Sequence, residues 1–200
     1  LIVKINQLSW ESGNVKKQHI YPICGDSGLA AGAALHVYYH NNPNAEIHPL
    51  DNLYWGPEYS NEEIEEILKL RHLTYRYEEN VSEYAAKRLA EDKIVAWFQG
   101  RMESGPRALG NRSILMSANK AENKATINAR VKFREAFRPF CPSMQWERKE
   151  DYLENPRDEF FMVTSFTCPE ERRSKVPAVV HADGTLRPQT VKKEFNERYW

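Results

Sequence analysis

The chain has 200 residues, 41% of them hydrophobic and 28% charged, and its 28 basic side chains balance 28 acidic ones. That is long enough for one large domain or parts of two, and apolar enough to fill a core. No apolar run approaches the roughly 20 residues of a membrane helix, and no signal-peptide pattern opens the chain. Cys24, Cys141 and Cys168 are odd in number and widely spaced, which argues against a disulfide frame or zinc site and for reduced thiols in a cytoplasmic protein.

In chain order, the opening LIVKINQLSW reads as the inside of a strand. Ile20 to Tyr39 reads as a strand end, a tight turn at Cys24-Gly25-Asp26-Ser27-Gly28 and an Ala-rich helix through Leu35. After a polar connector, Ser60 and Glu63 have capping-box spacing, and Ile64, Ile67 and Leu68 make one apolar helix face. The stretch from Asp51 to Lys93 is acidic, with eleven Asp/Glu against six Lys/Arg. A second helix is predicted over Val81 to Asp92, with Val81, Ala85 and Leu89 inward, and Ile94 to Phe98 reads as a buried strand. Another strand is predicted at Arg112 to Ser117 and a helix at Ala121 to Val131. Later strands are predicted at Phe160 to Phe166, Ala178 to His181 and Leu186 to Val191. Asn196 to Trp200 reads as a helix start, so the sequence is expected to be a piece of a longer polypeptide.

Residues 99 to 143 carry nine Lys/Arg against three Asp/Glu. Arg101, Arg107 and Arg112 punctuate a Gly/Pro-broken loop, and Lys132, Arg134 and Arg138 follow on an aromatic-rich segment. Guanidinium groups give planar, bidentate contacts to phosphate, and glycines admit a ligand to the backbone. A pocket for a polyphosphate or nucleotide is one reading; a solvated basic face is the other. Lys120 and Lys124, between the two segments, read as surface charges. His36 and His40 sit four apart as zinc-binding pairs do, but with no third ligand nearby a metal role is not expected.

GRMESGPRALGNRSIL, VKFREAFRPFCPS and HADGTLRPQTV, in this order, resemble the O-carbamoyltransferases of the nodulation and cephamycin type. The resemblance covers nearly the whole chain. It implies an α/β (α+β) fold: the tail of an actin/hexokinase-like domain over 1–75, then the first portion of a YrdC-like twisted mixed sheet with flanking helices over 76–200. It further implies that carbamoyl phosphate and ATP give a carbamoyl-adenylate, whose carbamoyl group passes to a hydroxyl of a small-molecule acceptor.

Carried over to this sequence, Arg101, Arg107 and Arg112 become nucleotide-site arginines, with Ser113 a hydroxyl donor and Glu103 a partner orienting one arginine. Lys132 and Arg134 match a phosphate-gripping Lys-x-Arg pair, and Arg138 adds a third cation. His181 and Arg187 flank the carbamoyl or phosphate group, and a hairpin of satisfied polar residues is the alternative for them. Arg107, Lys132, Arg134 and His181 are thus the expected catalytic residues. Asp26 becomes a ligand to a divalent metal, iron or magnesium, completed from elsewhere in the polypeptide; a helix-capping role is the alternative. The family's Asn-Thr-Ser-Phe-Asn motif is absent, since Thr164-Ser165-Phe166 lacks both asparagines, so this stretch alone is expected to be inactive. A homodimer is allowed, a membrane partner is not expected, and an RNA-binding YrdC-like module is the rival from another class.

Overall fold

The structure, a computed structural model, describes residues 3–48 and 50–200. Its fold is α+β, but the described strands form three two-stranded ribbons and not one twisted sheet. Among the described residues no helix is long and apolar enough to cross a membrane.

Local signals set most helices. The opening segment is a helix, α1 (Val3–Glu11), not the expected strand. Its Trp10 packs on a core cluster built from Leu153, Phe166, Val179 and Leu186. α2 (Asp26–Asn41) follows Gly25 and buries only Gly28. α3 (Asn61–Leu70) begins on the predicted capping box: Ser60 N donates to Glu63 Oε2 at 2.7 Å and Glu63 N donates to Ser60 Oγ at 3.2 Å. Its apolar face is only partly covered, however: Ile64 and Leu68 are half-buried and Ile67 stands in solvent. α4 (Val81–Ala90) starts on Asn80, whose Oδ1 accepts from Glu83 N at 3.2 Å. Ala85 turns inward there as expected, while Val81 does not. The expected boundary near residues 75–80 falls in the turns between α3 and α4. A second core joins Ile23 and Leu53 to Leu109 and Met162, so residues on both sides of that stretch share it.

β1 (Val95–Phe98) pairs antiparallel with β2 (Arg112–Leu115), bringing Phe98 opposite Arg112. Only Trp97 of β1 is buried, so the strand covers the core with one face. α5 (Ala121–Ile127) runs into a π-helical turn, Asn128–Lys132, which ends at Phe133 in the left-handed region with φ 47°. β3 (Ser143–Gln145) then pairs parallel with β6 (Gln189–Val191), and β4 (Phe166–Thr167) pairs antiparallel with β5 (Thr185–Leu186). Pro188 has no N–H to give a ladder, and the predicted 186–191 strand divides there into β5 and β6.

Three other predicted strand segments do not form. The strand end expected at Ile20 is irregular chain that turns at Pro22-Ile23 before α2. Over 160–166, the Glu159 carboxylate gathers Phe161 N at 3.3 Å and Val163 N at 3.0 Å, and Met162 takes φ 56°. These contacts curl the chain around the carboxylate until β4 begins. Ala178 to His181 leads into a turn closed by Gly184 N donating to His181 O at 3.0 Å. Asn196 to Trp200 forms isolated turns, not the start of a helix.

Candidate functional site

The loop between β1 and β2 is built around one carboxylate. Glu103 is buried, and its Oε1 accepts from three backbone N–H groups: Leu109 at 2.7 Å, Asn111 at 2.8 Å and Arg112 at 3.1 Å. Glu103 therefore orients the loop through its main chain; no arginine side chain pairs with it among the described residues. Gly110 lies at φ 104°, and a Cβ there would stand 2.3 Å from the Tyr199 ring, so both backbone and space demand glycine. The Ser113 hydroxyl is buried and accepts from Gly110 N at 3.0 Å, which ties it to the turn.

The three arginines of this loop part company. Arg112 donates to the carbonyls of Gln99 (2.6 Å), Asn111 (2.9 Å) and Gly100 (3.0 Å), and its guanidinium lies 3.6 Å over the Phe98 ring. Arg101 donates to Gly56 O and Trp55 O, both at 3.1 Å, pinning the loop to the 53–57 connector. These two hold the loop's shape. Arg107 has no such partner among the described residues. Burial and the like charge of Arg187 depress its pKa, opposed by Cys141 and Cys24.

Arg187 comes from the segment between β5 and β6. Its Nε and Nη2 donate to Cys141 Sγ at 2.9 and 2.7 Å, which leaves further N–H groups of the fork for a ligand. Arg187 thus lies near enough for its charge to bear on Arg107, and neither guanidinium pairs with a carboxylate among the described residues, an arrangement that favours an anion. Residue 24 belongs to the expected metal turn, and Ile23 packs on Leu109. The turn that carries Asp26 thus lies beside the arginine loop.

His181 completes the cluster. The Thr185 hydroxyl donates to Asp183 Oδ1 at 2.7 Å, so at the 3.1 Å contact between His181 Nδ1 and Thr185 Oγ1 the ring nitrogen is the donor. Nε2 then carries the lone pair; it is buried and has no protein partner. Burial holds the imidazole below its ordinary 6.5, with Arg187, Lys124 and Lys4 adding to the effect and Asp183 opposing it. The folded state binds fewer protons here than the unfolded chain, so this term stabilises above 6.5 and is lost as pH falls through the depressed folded value. An anion bound beside the ring favours its proton. Sulfate, whose own charge is constant in this range, is therefore expected to bind more tightly as pH falls below 6.5, with proton uptake. His181→Asn should flatten the profile; calorimetry in two buffers of different ionisation heat reads both effects. A wild-type affinity unchanged by pH would separate His181 from the anion.

The second basic segment stands apart. Arg134 Nε donates to Asn128 Oδ1 at 2.7 Å, and its guanidinium lies 4.6 Å over the ring of Phe140, the neighbour of Cys141. Lys132 is exposed, and Arg138 reaches only an exposed Glu135 at 3.9 Å. Cys141 also lines a largely apolar groove of about 610 Å³ between α4, β2, α5 and residues 140–145. Lys120 is a surface charge as expected, exposed and paired with Asp92 at 2.6 Å, whereas the same reading of Lys124 needs correction: it is half-buried and lines the groove, with its charge bearing on His181. Asp26 is exposed, and its side chain makes no cap hydrogen bond among the described residues. Among those residues no three His, Cys, Asp or Glu side chains group to hold a metal, so an iron or magnesium ion has no ligand set in them. The His36 and His40 rings stack on α2 with centroids 6.3 Å apart.

From the sequence, Cys141 reads only as a reduced thiol and Gln189 only as part of the HADGTLRPQTV motif, with no role in the site for either. Nothing local marks either: Cys141 acquires its meaning from Arg187, 46 positions away, and Gln189 from Leu109, 80 positions away.

Comparison with known proteins shows the family. Residues 86–200 match the family described as carbamoyltransferase C-terminus. The chain is 40% identical over 188 residues to nodulation protein NolO of Bradyrhizobium diazoefficiens, an alignment covering 90% of this chain and 34% of that protein. It is 35% identical over 199 residues to nodulation protein U of Sinorhizobium fredii, covering 99% and 34% respectively. An uncharacterized protein of Methanocaldococcus jannaschii is 39% identical over 204 residues, again covering 99% and 34%. The chain spans about a third of the length of these relatives. On the match over residues 86–200, the chain belongs to the carbamoyltransferase family, whose C-terminal part it carries.

Proposed function

We propose that the Arg107–Arg187–His181 cluster binds carbamoyl phosphate in an ATP-dependent carbamoyltransferase that works through a carbamoyl-adenylate. The carrying observation is the donor and acceptor pattern. Two guanidinium groups without a carboxylate suit the phosphate, and the unpartnered Nε2 lone pair of His181 suits the carbamoyl NH₂. Water takes the phosphoryl group as inorganic phosphate, the carbamate oxygen attacks the α-phosphorus of ATP, and pyrophosphate leaves. The acceptor hydroxyl then takes the carbamoyl carbon, and AMP leaves.

Arginines and a lysine stabilise charge on the phosphoryl oxygens during the first half. Lys132, Arg134 and Arg138, on the segment leading to Cys141, are assigned to the triphosphate, and the neighbouring groove has a nucleoside's dimensions. The YrdC-like arrangement of residues 76–200 and the cytoplasmic setting belong to this reading, as does Asp26 as one carboxylate toward a metal completed elsewhere. The inactivity of residues 1–200 alone belongs to it too.

The test is carbamoyl-phosphate-dependent exchange of pyrophosphate into ATP by the intact protein. Lys132→Ala and Arg134→Ala are expected to lower nucleotide affinity about 10- to 100-fold, at about 1.5 to 3 kcal/mol per charge-assisted contact. Lys69→Ala, on α3 and paired only with Glu65, should change nothing. Exchange that ignores carbamoyl phosphate would sink the reading. A second reading rests on Phe133 and Phe137, 83% and 78% exposed beside Lys132 and Arg138, which would offer stacking to single-stranded RNA. RNA that binds undisturbed by carbamoyl phosphate and ATP would favour that alternative.

A further inference from the structure

The geometry points to Gln189 as the residue that positions Arg107, through the carbonyl of Leu109, an inference that rests on the anion site proposed above. The three segments meeting at that site are tied together two residues past each contact: Leu109 after Arg107, Ser143 after Cys141 and Gln189 after Arg187. Gln189 is buried at the head of β6, where its backbone N donates to Pro142 O at 2.8 Å. Its side-chain Nε2 donates to Leu109 O at 2.9 Å, and Ser143 Oγ donates to its Oε1 at 3.1 Å. The Tyr199 hydroxyl donates in turn to Ser143 Oγ at 2.8 Å. This chain of donors fixes which end of the amide faces Leu109. The same carbonyl accepts the Tyr54 hydroxyl at 2.9 Å, and Leu109 N reaches Glu103 Oε1 at 2.7 Å. Both polar groups of residue 109 are thereby held.

Arg107 itself has no protein partner among the described residues and is placed by its backbone. A guanidinium fork that must meet a phosphate bidentately loses much of its affinity when displaced by a fraction of an ångström. The glutamine amide supplies what hydrophobic packing cannot, a directional bond from β6 to the loop. A methionine at 189 would keep the volume and lose that direction.

Thermodynamic coupling in the intact protein tests this, with inorganic phosphate as the titrant at fixed salt. Gln189→Met is expected to weaken binding about tenfold, the worth of one buried hydrogen bond. Arg107→Ala is expected to weaken it about 10- to 100-fold. The double variant should bind no worse than Arg107→Ala alone, because Gln189 acts through that side chain. A general loosening of the fold would instead multiply the two losses and overturn the proposal. Should Gln189→Met not fold, Ser143→Ala removes only the bond that orients the amide, and its smaller loss should likewise vanish in the Arg107→Ala background. If Arg107→Ala binds phosphate like the wild type, the anion site falls and this proposal falls with it. Multiplied losses overturn the role of Gln189 alone.

Discussion

Replacing Glu103 by alanine is expected to destabilise the intact protein by about 3 to 5 kcal/mol, the largest single-site loss in this region. The carboxylate is 7% exposed and holds three N–H donors at 2.7, 2.8 and 3.1 Å. Its removal leaves those donors in a space that water enters poorly, and each unpaired buried donor costs about 1 to 3 kcal/mol. Glu103→Gln keeps one acceptor oxygen and loses the charge, so it should cost about 1 to 2 kcal/mol. Urea unfolding midpoints at matched slopes give the comparison. Alanine and glutamine variants of equal stability would show that the carboxylate does not organise the loop.

Arg107→Ala should do the opposite: stability hardly moves, while phosphate or carbamoyl phosphate binds about 10- to 100-fold more weakly. Burial and the neighbouring charge of Arg187 already work against this guanidinium in the free protein. Removing it relieves a repulsion and breaks no hydrogen bond. Arg107→Lys retains the charge without the fork and should fall between the two. Arg112→Ala is the informative contrast, since Arg112 serves backbone carbonyls and the Phe98 ring and its loss should appear as stability. The pair is read by titration alongside thermal unfolding. An Arg107→Ala protein that unfolds early yet binds normally would return Arg107 to a structural role.

The difference between these arginines marks the limit of what the sequence could say. Arg101, Arg107 and Arg112 look alike in GRMESGPRALGNRS, five or six residues apart in one Gly/Pro-broken loop. Only the folded loop shows which carbonyls turn toward two of them. Signals confined to one turn were legible: Ser60 with Glu63, the start of α4 at Val81, and the β1 and β2 patterns either side of the glycines. The strand predicted at 160–166 failed because the apolar run Phe160 to Val163 looks like a buried strand while Glu159 captures the backbone that a ladder would need. Lys124 resembled Lys120, yet one faces the groove and the other Asp92, a distinction set by how α5 lies on its neighbours. The carbamoyltransferase motifs identified the family correctly. They did not bring out Cys141 or Gln189, whose partners lie on distant segments.

The parallel pairing of β3 with β6 also has a consequence in time. The arginine loop leaves the ribosome long before Gln189, 80 positions downstream of Leu109, can reach it. Closing so long a separation is slow, because loop entropy must be overcome before the contact gives anything back. The β1–β2 ribbon and α5 are local and should form early, leaving the basic loop waiting for β6. The anion site proposed above then waits on that docking step, and ligand already present in the cell would draw the step forward by mass action.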